Sequence, residues 1–83
     1  MQSITIMSTL LIERGFKFFF FANEHEPRHI HVLKGGRHGR IDLQTLEFTH
    51  CTLKAAERRV ALEIATREAR NFVAAWNAFF AGR

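Results

Sequence analysis

Apolar positions follow two regimes along the chain. Up to about residue 50 they recur at short, strand-like intervals, and from Leu53 to Phe80 they recur with a helical period. In the first regime ITIMSTLLI (4–12) is apolar and rich in β-branched residues, which suit a pleated surface, and Gly15 breaks the run. FKFFFFAN, beginning at Phe16, alternates only weakly: Phe16, Phe18 and Phe20 point one way, and Lys17, Phe19 and Phe21 the other. A strand apolar on both faces belongs in the middle of a sheet or against a partner. Residues 29–34 predict a further strand, with Ile30 and Val32 on one face and His29, His31 and Leu33 on the other. KGGRHGR (34–40) holds three glycines within five residues and predicts a hairpin connection. RIDLQ (40–44) alternates, with Ile41 and Leu43 inward, while Leu46 and Phe48 fall out of phase and imply a bend near Thr45.

In the helical regime Thr52 is the expected N-cap. Leu53, Val60 and Ile64 form one stripe, and Ala65, Ala69, Phe72, Trp76 and Phe79 form a second, slightly rotated one. The rotation admits one long helix or two short ones broken within 66–70, although no Gly or Pro enforces a break. Glu63 and Arg67 make a favourable i,i+4 pair, and Gly82 is a stop signal. The expected architecture is α+β: one domain over residues 1–83, with a small antiparallel sheet of three or four strands covered on one face by C-terminal helix.

Composition supports a packed core, since the chain is 47% hydrophobic with nine Phe. Cys51 is the sole cysteine, so no internal disulfide forms, and no apolar run approaches the roughly 20 residues that a membrane helix needs. The opening MQSITIMSTLLIER has neither a basic leader nor a small-residue cleavage site, so a cytoplasmic location without membrane contact is expected. Net charge is +4 and the pI is about 10.2, which points to anionic partners such as RNA. The charge concentrates in KGGRHGR, which carries +3 and no acid, with His38 beside it.

Chemistry concentrates in EHEPRHIHV (24–32), where His29 and His31 sit two apart on a predicted strand. Three accounts fit this spacing. As an acid/base pair, one imidazole takes and the other gives a proton during cofactor-free RNA cleavage, with Arg28, Lys34, Arg37 and Arg40 holding the phosphate. As metal ligands, both rings join Glu26, His25 or His50. As structural residues, they donate ring N–H groups to a turn carbonyl or carboxylate and pin the segment from Glu24 to Pro27 against the sheet. KGGRHGR lacks the P-loop spacing and reads as a solvated hairpin compatible with RNA contact.

The run MSTLLIERGFKFFFFANEHEPRHIHV from Met7, a basic glycine-containing hairpin and the closing AAWNAFF together resemble a small bacterial domain-of-unknown-function family marked by a Pro-Pro-His-Val-His-Val motif. The resemblance runs from about Met7 to Phe80 and leaves residues 1–6 outside. Arg28 stands where the family has its second proline, and Phe21 where it usually has tyrosine. The resemblance implies a toxin-antitoxin-like two-gene setting and a small protein partner encoded next door. The expectation is then a component of such a module that cleaves or binds RNA without metal or cofactor. His29 and His31 form its acid/base pair, and Arg28, Lys34, Arg37 and Arg40 its phosphate contacts. The competing expectations are a non-catalytic interaction module, homodimeric or bound to its neighbour, and a histidine-based metal-binding domain.

Overall fold

The computed structural model describes residues 7–81. Five strands precede one helix: β1 (Met7–Glu13), β2 (Phe16–Phe21), β3 (His29–Lys34), β4 (Arg37–Asp42), β5 (Phe48–Cys51) and α1 (Ala55–Phe79). The strands form one antiparallel sheet in sequence order, with α1 against one face. The α+β expectation holds in outline, with five strands rather than three or four and a single helix. Residues 1–6, which include the first three positions of the predicted 4–12 strand, and the Gly82 stop signal lie outside the described residues.

Turn chemistry sets the register. Arg14 and Gly15 both have positive φ (55° and 81°), as a two-residue hairpin between the paired Glu13 and Phe16 requires. The second hairpin is tighter than the sequence implied. Only Gly35 and Gly36 form its turn, Lys34 pairs with Arg37, and residues 37–40 belong to β4. The bend expected near Thr45 is an Asp42 turn in which Oδ1 accepts from the Gln44 N–H (2.7 Å) and the Thr45 N–H (2.9 Å), with Leu46 at φ 58°. It returns the chain as β5, whose pairing slips by one residue between Arg40↔His50 and Ile41↔Phe48. That slip puts Phe48 against the core despite its phase. Gly39 makes room, because a Cβ there would lie 2.8 Å from the Phe48 ring.

The core lies between Phe16, Phe18, Phe20, Ile30, Val32 and Ile41 of the sheet and Ala61, Ile64, Ala65, Phe72 and Trp76 of α1. Those helix positions form one continuous stripe, so no break is needed. Phe18 meets Phe72 with ring centroids 5.5 Å apart, and Phe20 meets Trp76 edge-on at 5.3 Å. The N-cap is Lys54 rather than Thr52; Glu57 accepts the Lys54 N–H at 2.9 Å. Thr52 instead ties β5 to β4, its Oγ1 accepting the His38 N–H at 2.9 Å.

One irregularity positions the site. Pairing between β2 and β3 ends at Phe19↔His31, while His29 and Ile30 pair only with β4. Residues 22–28 fold back at this splay, with a cis Glu26–Pro27 bond.

Candidate functional site

Strand alternation places Phe19, His31, His38, Arg40 and His50 on the face opposite α1, because His31 pairs with Arg40 and Arg40 with His50. His29 lies beyond the last β2–β3 pair, where its ring reaches Trp76 at 5.1 Å. Into that splay residues 22–28 bring Glu24, whose carboxylate joins the two strands. Oε1 accepts from His29 Nε2 (2.9 Å), and Oε2 accepts from His31 Nε2 and from the Phe21 N–H (3.3 Å).

The other ring nitrogens are engaged as well. His29 Nδ1 donates to the Pro27 carbonyl at 2.7 Å. Both its nitrogens therefore face acceptor-only oxygens, and making both bonds at once requires the doubly protonated ring. With Nε2 donating to Glu24, a neutral His31 accepts at Nδ1 from His38 Nε2 at 2.9 Å. His31 also stacks on Phe19 (5.3 Å) and His38 (5.2 Å), and His38 lies 5.5 Å from the His50 ring.

Electrostatics follow this packing. Burial holds His31 below the ordinary imidazole value, against the opposing charge and hydrogen bond of Glu24. Burial also lowers His38, with help from the charges of His50 and Arg40. For Glu24 burial pushes upward, but the His29 bond, the Phe21 N–H and the imidazole charges outweigh it, so the carboxyl lies below its usual range.

His29 and His31 thus converge, as their spacing implied, but on Glu24 rather than on solvent: they are 7% and 6% exposed. The four cations disperse. Arg28 reaches Asn77 on α1 (3.4 Å), Lys34 donates to the Arg14 carbonyl (3.2 Å) over the Phe16 ring, and Arg37 is paired bidentately with Glu57. Arg40 alone of the four shares the face of the histidines. It is exposed, its Nε is anchored on Thr49 Oγ1 at 2.8 Å, and it has no carboxylate partner among the described residues. A cleft of about 280 Å³ opens beside it, lined by Glu24, His29, Arg40, Asp42 and Thr49 among others.

The expected cationic site missed His38 as the neighbour of His31, and His50 beyond His38. The signal was the Gly35-Gly36 pair: a two-residue turn there sets Lys34 opposite Arg37, and hence Arg40 opposite His31. Glu24 was within view as a hydrogen-bond acceptor, but not as the third donor of a metal set, for which Glu26, His25 and His50 were the candidates.

Comparison with curated proteins and with solved structures returns no match. Residues 15–77, spanning β2 through most of α1 and every residue of the Glu24 cluster, match the family described as Domain of unknown function (DUF4160), and the chain belongs to that family.

Proposed function

We propose that this chain is an RNA-binding component of a toxin-antitoxin-like two-gene module, and that it contacts RNA phosphates with the sheet face opposite α1. The observation that carries the reading is the grouping of His38, Arg40 and His50 on that face, with Arg40 held in place by Thr49 and paired with no carboxylate among the described residues. A guanidinium fixed at one nitrogen loses little freedom when it grips a phosphate. The net charge of +4 adds long-range attraction. Contact stands ahead of cleavage because all four ring nitrogens of His29 and His31 are bonded within the protein, so acid/base work by that pair first requires breaking those bonds. The module setting rests on the sequence resemblance.

The test is fluorescence anisotropy with labelled RNA oligonucleotides at several salt concentrations. Binding should weaken as salt rises, and Arg40→Glu should weaken it while reducing the salt slope by about one contact. Arg58→Glu, on the exposed helix surface, should do neither. Equal binding by the Arg40→Glu and unaltered chains refutes the proposal, and RNA cleavage abolished by changing His29 and His31 restores the catalytic reading. Co-purification with the neighbouring gene's product tests the module setting. Exposure of Ile12 (67%) and Phe79 (43%) favours a second reading, a protein-contact module. Loss of that complex in Ile12→Ser or Phe79→Ser would support it.

A further inference from the structure

The geometry points to a divalent transition-metal site, of the zinc class, built from one carboxylate oxygen of Glu24 and the Nε2 atoms of His29 and His31. One donor atom from each residue lies within 4.8 Å of the other two. Metal–ligand bonds of ~2.0–2.2 Å in a tetrahedral arrangement set donor atoms roughly 3.4 Å apart. The three donors, two from β3 and one from the 22–28 segment, therefore reach that spacing by side-chain adjustment, without rearranging β3.

A second set of contacts stands behind the donors. A histidine that binds a metal through one nitrogen is held in place when its other N–H donates to a fixed acceptor. His29 Nδ1 already donates to the Pro27 carbonyl at 2.7 Å, and His31 Nδ1 lies 2.9 Å from His38 Nε2, an acceptor once His31 carries its proton at Nδ1. Both rings thus direct Nε2 at Glu24 with Nδ1 supported from behind. An ion takes the place of the protons that the two Nε2 atoms otherwise hold toward the carboxylate.

Access and ligand type agree. Glu24 and His29 line the cleft of about 280 Å³, which provides an entry path and space for a fourth, non-protein ligand such as water. Two imidazoles and one carboxylate suit zinc and neighbouring transition ions; calcium and magnesium favour oxygen donors. The site is independent of the RNA reading, and Arg40 at the same cleft would lie beside any anion that the ion attracts.

The experiment is calorimetric titration of chelator-treated protein with Zn²⁺, together with visible absorption on adding Co²⁺. One equivalent should bind, with ligand-field bands of a four-coordinate ion. Glu24→Gln and His31→Gln should abolish that binding. His38→Ala, which removes a positioning residue, should weaken it by about 10–100-fold. His25→Ala and His50→Ala should leave it unchanged. Histidine-ring NMR signals of the unaltered chain give a test that needs no variant: His29 and His31 should shift with Zn²⁺ while His25 and His50 stay still. Absence of one-equivalent binding, binding that survives His31→Gln, or shifts confined to His25 or His50 overturns the proposal.

Discussion

Replacing Glu24 by alanine should cost about 3 kcal/mol of folding stability in metal-free protein. The carboxylate accepts three hydrogen bonds at the β2–β3 splay, from His29, His31 and the Phe21 N–H. The Phe21 bond is the longest at 3.3 Å and contributes least. A hydrogen bond to a charged group contributes about 1.5–3 kcal/mol net, so the two imidazole bonds together are worth roughly 3–6 kcal/mol. The lower end applies, because His29 lines the cleft, where water can replace the lost acceptor, and His31 can change tautomer. A domain of this size has a total stability of roughly 4–12 kcal/mol, so the variant should stay folded with about 1–9 kcal/mol left. Its melting temperature should fall by about 12–24 °C. Urea unfolding in the presence of chelator, followed through the fluorescence of Trp76, the only tryptophan, reports the change. The exposed Glu26→Ala serves as control and should stay within about 0.5 kcal/mol of the unaltered chain. A loss below ~1 kcal/mol for Glu24→Ala would show that the carboxylate does not join the strands energetically, and the argument for the site would fail with it.

Gly39→Ala should destabilise by about 1–3 kcal/mol, since its Cβ would lie 2.8 Å from the Phe48 ring and 3.2 Å from Val32. Phe48→Leu in the same chain should recover part of that loss in thermal melts, and additive losses would contradict the packing argument. Phe72→Ala, which removes a ring only 2% exposed, should cost about 3–5 kcal/mol in urea unfolding. The Arg37 hydrogen bond and the Lys54 N–H lower Glu57 from its ordinary 4.5 to about 2. Its contribution to stability is therefore complete above about pH 4.5 and fades as pH falls toward 2. Glu57→Gln should flatten that acid limb in pH-dependent denaturation; an unchanged slope would remove the Arg37 pair as its cause.

Much of the fold was legible because alternation is a local property. The core face of Phe16, Phe18 and Phe20 and the shared direction of His29 and His31 follow from period two alone. β5 was hidden by one non-local event, the one-residue slip opposite Arg40, and one local one, the positive φ at Leu46, which together cancel the phase from which a strand is read. Alternation also carried an unused signal for the cations. Arg37 is one residue from His38 and must face the other way, toward α1 and Glu57, so a single phosphate grip by Arg37 and Arg40 was excluded by parity. The choice of Glu24 over Glu26 as the acceptor depends on how residues 22–28 fold back, which no periodicity encodes.

Every strand of the sheet neighbours the strand before it in sequence, and the helix comes after all five. Such hairpin-by-hairpin wiring is quick to form, since each closure spans few residues. During synthesis, however, three phenylalanines, two isoleucines and a valine of the sheet wait uncovered until Ile64, Phe72 and Trp76 have left the ribosome. The nascent sheet is a sticky intermediate that its own final segment quenches, so a stop codon within that segment would yield an aggregating fragment instead of a smaller domain.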